Sequence, residues 1–271
     1  ESNKRIKFDF GGGELSSDSG LLLLKEFVAK IGLLSYIEKI FRTNDPAKRR
    51  LHKDADNLMQ IIYQIICGYF EDDCADELKN EPIITAILGK DRLASQPTLS
   101  RFWKRMDQLT LEQLNEIYRS MRKAVYSVDR PKYMVFDLDT TLLETYGNQE
   151  DAAYNFHYQS VGYHPFLCFN GINGDLLKAE LRKGTDYCSK GSGEFMRPLL
   201  KEFQDRYPYT EMYLRGDSGF AAPELYNVCE EFECKYVIRI KENAKLRELA
   251  KGEDDALYDV TRDNQINYAH V

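Results

Sequence analysis

The chain has 271 residues, of which 43% are apolar and 30% charged, and a net charge of −7. That mix is typical of a soluble globular protein with room for one large or two ordinary domains, and it excludes a disordered chain. It also excludes a membrane-spanning helix, since the strongest apolar runs, Leu21–Leu24 and Ile61–Cys67, fall far short of roughly 20 residues.

Net acidity argues against a polyanionic partner, but the charge is uneven. Between Lys90 and Lys132 there are ten Lys and Arg against five Asp and Glu, and a local patch steers a ligand whatever the global charge. The six cysteines and four histidines show no zinc-ligand spacing, so reduced cytoplasmic thiols are expected. The N-terminus has no signal-peptide core and does not begin with Met, so the chain reads as an excerpt of a longer one.

In chain order, residues 6–10 read as a strand and the GGG at 11–13 as a turn, since no Lys-Ser/Thr follows to make a phosphate loop. Helical periodicity then runs through Leu21–Ile31 and Leu33–Phe41, with a polar link over 42–53. Asp54–Phe70 is a strongly apolar helix, central to a first domain, and the acidic stretch Glu71–Glu77 is a solvated helix start. At Leu93–Met106, Ser95 is the expected N-cap and Pro97 sits in the first turn. The outer face of this helix carries Thr98, Arg101, Lys104 and Arg105 while Leu99, Phe102 and Met106 turn inward. A short helix of this kind after two others resembles a helix-turn-helix, with those four residues as candidate DNA contacts. The alternative is an ordinary helix with a solvated basic face. Leu109–Val128 is a further amphipathic helix, and Asp129-Arg130-Pro131 breaks it at a domain boundary.

The second half opens on YMVFDLDTTLLETYG, residues 133–147. Alternation along the strand puts Val135, Asp137 and Asp139 on one face and Phe136 and Leu138 on the other. Two like charges closing a buried strand repel and lose hydration unless something neutralises them. A turn-capping Asp accounts for one of them; a divalent-metal site, which needs hard oxygen ligands on a rigid element, accounts for both. Residues 144–162 read as polar and irregular. A hairpin follows, with strands Phe166–Phe169 and Asp175–Arg182, then a helix Glu194–Tyr207, a strand Glu211–Asp217, a helix Ala221–Phe232 and a strand Cys234–Ile240. Beyond 241 the chain turns charged and irregular, with strand pieces at 258–261 and 265–271. The fold class is α/β: a β-β-β-α-β-α-β mixed sheet preceded by an all-helical domain.

Two families place carboxylates in this way. VFDLDTTLLET resembles the first motif of haloacid-dehalogenase-like phosphatases, which implies Asp137 as nucleophile, Asp139 as general acid and Mg²⁺ as electrophile. That fold needs a parallel crossover directly after the first strand, where this sequence has a hairpin. A wider resemblance rests on DLDTT at 137–141, ETYGNQE at 144–150, PFLCFNGINGDLLKAELRKG at 165–184 and LRGDSGFAAPELYNVCEEFECKYVIRIKEN at 214–243. Together these segments resemble the RNase H-like core of DDE-type insertion-sequence transposases, in the group whose core is interrupted after the fifth strand.

That resemblance implies Asp139 and Asp217 as catalytic, metal-holding carboxylates, with Asp137 supporting them. It implies two Mg²⁺ ions (with Mn²⁺ as a substitute), bacterial origin, and cleavage and joining of double-stranded DNA at element ends and target by a homodimer, in the cytoplasm on the nucleoid and away from any membrane. His157 and His164 flank the site in sequence and read as ordinary loop histidines. The implied domains are a DNA-binding helical domain over 1–130, a catalytic core over 131–243 and the start of an insertion over 244–271. The family's third carboxylate has no match; Glu242 and Glu248 follow the last strand too closely. The chain is therefore expected to lack a complete triad, to bind metal weakly and not to cut DNA by itself. A non-catalytic, transposase-derived DNA-binding protein is the remaining alternative.

Overall fold

The computed structural model describes residues 16, 18–47, 49–241 and 243–250. The expected strands at 6–10, 258–261 and 265–271, the glycine turn at 11–13 and Glu242 lie outside the described residues, as does most of the expected insertion. The chain divides into two compact units, Glu1–Arg130 and Pro131–Val271. No helix among the described residues is long and apolar enough to cross a membrane.

The first unit is helical: α1 (Leu21–Lys30), α2 (Leu33–Ile40), α3 (Asp54–Ile66), α4 (Cys74–Glu77), α5 (Pro82–Leu88), α6 (Gln96–Lys104) and α7 (Gln108–Val128). Its core is built on Ile37, Phe41, Met59, Ile84, Leu93, Leu99 and Phe102, each almost fully buried, with the Phe41 and Phe102 rings 6.1 Å apart. The central helix α3 is buried along most of its length. It stops four residues short of the expected Phe70, because Gly68 takes a left-handed φ of 89° that ends the helix. Helix α5 had no expected counterpart; Pro82 starts it and the Glu81 carboxylate accepts from Ile84 N–H at 2.6 Å to cap it. Ser95 sits at the N-cap of α6, but its hydroxyl pairs with Thr98 Oγ1 at 3.2 Å instead of a backbone N–H. Asp107 caps α7 through Thr110 N–H at 2.9 Å.

The second unit is organised around β1 (Tyr133–Thr140). The stretch 144–162, expected to be irregular, instead forms most of a small antiparallel sheet: β2 (Leu143–Glu144), β3 (Ala153–Asn155) and β4 (Ser160–Tyr163), in the order β2-β4-β3. Strands of two to four residues are too short to show an alternating pattern, which is why the sequence conceals them. The main sheet adds β5 (Phe166–Asn170), β6 (Leu176–Glu180), β7 (Glu211–Gly216) and β8 (Lys235–Ile238), with helices α8 (Ser192–Arg206) and α9 (Pro223–Glu231) between them; α10 (Ala244–Ala250) follows.

The main sheet has the order β6-β5-β1-β7-β8. β1 pairs antiparallel with β5 and parallel with β7, and β7 pairs parallel with β8. The β5–β6 hairpin holds the antiparallel side together, while α8 and α9 provide the long crossovers that parallel neighbours need. This is the expected RNase H-like mixed sheet. Met134, Phe136 and Leu138 face the core, where Phe136 meets Phe203 of α8 edge-on at 5.0 Å. Phe166 packs against Phe195 at 4.9 Å and Phe220 at 6.1 Å. The opposite face of β1 carries Val135, Asp137 and Asp139, half-buried to exposed, as the alternation requires.

Candidate active site

The parallel register of β1 and β7 aligns Asp137 with Arg215 and Leu138 with Gly216. One step further, Asp139 stands beside Asp217 where β7 ends. Because the central sheet position and the α8 core fix β1, and the α8 crossover returns the chain as β7 at its side, the two carboxylates meet although 78 residues separate them in sequence. Both are exposed, and neither makes an ion pair among the described residues.

Each carboxylate is oriented by a backbone N–H. Asp139 Oδ1 accepts from its neighbour Thr140 at 2.8 Å, and Asp217 Oδ1 accepts from Gly219 at 2.8 Å across a 3-10 turn. In both residues Oδ2 has no hydrogen-bond partner among the described residues, leaving an oxygen free for a ligand. Gly219 is required here: a Cβ would lie 2.9 Å from Cys188 Cβ and 3.0 Å from Asp217 Oδ1. The capping role considered for one Asp thus coexists with an open site.

Asp137 is differently placed. Arg215 Nε donates to its Oδ1 at 2.9 Å and Nη2 donates to Oδ2, a two-pronged ion pair that occupies both oxygens. The hydrogen bond and the charge of Asp137 raise the Arg215 guanidinium above its already high ordinary value. The pair lies one pleat back from Asp139 and Asp217 on the same sheet face. A phosphatase nucleophile at Asp137 would need those oxygens free and a parallel strand where antiparallel β5 stands; neither condition is met.

Asp139 and Asp217 share a cavity of about 880 Å³ with tyrosines, a phenylalanine and a cysteine that the sequence did not single out. The small sheet and its turn supply Tyr154, Phe156, His157 and Tyr158, and the loop before α8 supplies Tyr187 and Cys188; Arg239 and Lys241 complete the lining. Phe156 is 84% exposed and meets Tyr154 edge-on at 5.1 Å. Burial first, then Cys188, Asp139 and Asp217, push the Tyr158 phenol above its ordinary value. His157 and His164 both lie in loops, as the sequence suggests, and both line this cavity. His164 is 4% exposed and its Nδ1 lies 2.8 Å from the Asp186 carbonyl oxygen, so Nδ1 carries the proton. Its Nε2 has no partner among the described residues. The aromatic density of YNFHY at 154–158 was the available sequence signal.

The donor set suits a hard cation: two carboxylates with free oxygens at the ends of rigid, adjacent strands. No cluster of three or more His, Cys, Asp or Glu able to hold a metal occurs among the described residues. The pair therefore stands without a third partner there.

The four expected DNA-contacting residues belong to the helical unit. Arg101 and Lys104 are exposed, and Thr98 is half-buried. Arg105 differs from the expectation of a free basic head: its Nε lies 3.2 Å from Asp45 Oδ2 and its Nη2 3.5 Å from Asp54 Oδ1. Its charge is therefore spent inside the protein.

A model of the family described as Transposase DDE domain group 1 matches residues 1–270. No significantly similar curated protein was found. Solved structures with similarity include a simian T-cell lymphotropic virus intasome in complex with PP2A regulatory subunit B56 gamma, 13% identical over 52% of this chain and 44% of that chain, with a TM-score of 0.27. Another is the catalytic core domain of BIV integrase, 12% identical over 49% of this chain and 74% of that one, with a TM-score of 0.25. The chain thus spans less than half the length of the first of these, and neither likeness carries weight beside the sheet order itself. On the match that runs through both units, the chain belongs to the DDE transposase domain family, group 1.

Proposed function

We propose that this chain carries two of the three carboxylates with which an insertion-sequence transposase cuts DNA at the element's ends and joins it to a target. The observation that carries the reading is the pairing of Asp139 with Asp217 on one open cavity while Arg215 occupies Asp137. Asp139 and Asp217 would hold divalent ions, Mg²⁺ or Mn²⁺ and two in the complete site. Bound there, such ions activate the attacking oxygen and stabilise the leaving one. A third carboxylate comes from outside the described residues.

The chain's own residues position the DNA. Arg239 and Lys241 on the cavity wall attract backbone phosphates. Tyr154, Phe156 and Tyr187 offer ring faces on which bases unpaired at a cut end can stack. Arg101 and Lys104 on the exposed face of α6 add phosphate contacts in the helical unit. The protein works as a homodimer on paired ends, in the bacterial cytoplasm on the nucleoid. The resemblance supports these last features.

The test is a calorimetric Mn²⁺ titration of the wild type and the Asp137→Asn, Asp139→Asn and Asp217→Asn variants. Loss of the same site in both the Asp139 and Asp217 variants, with the site kept in the Asp137 variant, supports the reading. An Asp137 variant that loses the site while the Asp217 variant keeps it overturns it. If no variant changes binding, Asp139 and Asp217 do not hold the ion, which favours the alternative of a non-catalytic, transposase-derived DNA-binding protein.

A further inference from the structure

A second cleft, of about 330 Å³, lies entirely within the helical unit. At its wall, from α3, is Asn57, which is 1% exposed and has neither Oδ1 nor Nδ2 hydrogen-bonded among the described residues. A buried amide with both ends unmatched costs about 1–3 kcal/mol per group, so a fold retains it only when something outside the chain satisfies it. The surroundings say what that is.

Lys79 and Arg92 line the same cleft and make no ion pair among the described residues. Arg50 lines it too, but Arg50 and Arg105 are engaged by Asp45 and Asp54, so those four charges cancel. Among the described residues Asp45 is the only acid on the wall, which leaves two positive charges in surplus. His52, also on the wall, reports the same field: burial and then Lys90 and Arg92 hold its imidazole below its ordinary value, against the opposing pull of Asp56. Ser95 and Thr98, at the first turn of α6, add two hydroxyls.

We infer that this cleft binds one phosphate group of a DNA strand, with Lys79 and Arg92 supplying charge and Asn57, Ser95 and Thr98 supplying hydrogen bonds. The amide suits the task because Nδ2 donates to a phosphate oxygen while Oδ1 accepts from the ammonium or guanidinium that neutralises it. The volume is at the lower end for small-molecule sites, which fits a single phosphate with its sugar and not a groove-spanning contact. The inference rests on the transposase reading for its choice of DNA. It adds an anchor on the wall formed by α3 and the start of α6, separate from the exposed Arg101 and Lys104.

The experiment uses the full chain and a fluorescent duplex of arbitrary sequence, because phosphate contacts carry no sequence information. Anisotropy is followed across a salt series for the wild type, Lys79→Gln, Arg92→Gln, Asn57→Asp and, as a control on α1, Lys30→Gln. Lys79→Gln and Arg92→Gln are each expected to weaken binding on the order of tenfold and to lower the slope of log affinity against log salt by about 1. Asn57→Asp keeps the volume, places a carboxylate against the phosphate and weakens binding further, while Lys30→Gln changes neither quantity. Should Asn57→Asp fail to fold, the two surface variants decide alone. Unchanged slopes in both overturn the proposal and leave the Asp139–Asp217 reading untouched, since the Mn²⁺ titration measures that separately. A parallel arm measures thermal protection by inorganic phosphate. If the wild type ignores DNA but inorganic phosphate protects it and fails to protect Arg92→Gln, the cleft serves a free anion and the DNA assignment is overturned.

Discussion

Arg215 grips Asp137 through both prongs of its guanidinium, one pleat from the point where Asp139 meets Asp217. The pair explains how three carboxylates can stand near one another on a sheet face without prohibitive repulsion: one is neutralised, and the other two are left open. It also assigns Arg215 an electrostatic role that can be read in either direction. Arg215→Gln removes a positive charge roughly 7–10 Å from the cation position, and Asp137→Asn removes the negative charge that offsets it. The first is expected to tighten Mn²⁺ binding about three- to tenfold and the second to weaken it by about the same factor. A ligand would behave otherwise, since its loss abolishes the site. Calorimetry on the two single variants and the double variant checks this, and the double variant should return close to wild type.

Gly219 sits between Asp217 and Cys188 with no room for a side chain. Gly219→Ala is expected to push the 3-10 turn away and to turn Asp217 off its backbone N–H, lowering Mn²⁺ affinity at least tenfold while the far-ultraviolet circular dichroism stays native. Because the tightest approach is to Cys188 Cβ, adding Cys188→Gly is expected to recover part of the loss, the 3.0 Å approach to Asp217 Oδ1 remaining, and adding Cys188→Ala to recover less. An unchanged titration in Gly219→Ala would show that the turn does not orient Asp217.

The exposed aromatic wall yields a prediction about substrate form. Phe156 is 84% exposed, so Phe156→Ala costs little stability and any effect is on binding. Stacking on an aromatic ring contributes about 1–3 kcal/mol per base. A duplex with an unpaired single-stranded end is therefore expected to lose roughly fivefold to a hundredfold in affinity with Phe156→Ala, and a blunt duplex to change less than twofold. Equal losses on both substrates would show that Phe156 contacts paired DNA or supports the small sheet.

Most of the second unit was legible in the sequence. The acidic strand, the Asn/Gly hairpin and the alternation that follows each carry a local signal, which gives the succession of elements, while the neighbouring of β1 and β7 came only from the family resemblance. The preference for Asp139 over Asp137 rests in the sequence on family resemblance alone, because the Arg215 partner that bears on it stands 78 residues from Asp137 and is brought alongside by register. The small sheet stayed hidden since its strands have too few residues for a period. His164 reads as a loop histidine because its burial comes from tertiary packing, and the Asn57 amide looks like any helix residue until its missing partners are seen. Arg105 shows the reverse error: helical spacing places it outward, but a long side chain reaches back to Asp45 and Asp54.

That internal cluster makes the stability of the helical unit depend on acid. Asp54 is 4% exposed. Its burial favours the neutral acid, but hydrogen bonds from Thr43 N–H, Arg50 and the Thr43 hydroxyl outweigh burial and hold its carboxyl below the ordinary range. A carboxylate whose folded value is depressed adds stability above its unfolded value of about 3.9, and that contribution is lost as pH falls through the folded value. The melting temperature of the wild type is therefore expected to fall below about pH 4 with a slope that Asp54→Asn lacks, so the two proteins differ most near neutrality and converge in acid. At pH 7 Asp54→Asn leaves Arg50 and Arg105 with Asp45 alone and costs about 3 kcal/mol, as breaking a buried charge pair does. Thr43→Val deletes one hydroxyl donor and costs about 1–3 kcal/mol. A melting series from pH 3 to pH 8 on the three proteins reads both effects, and a constant gap between wild type and Asp54→Asn across that range would refute the assignment.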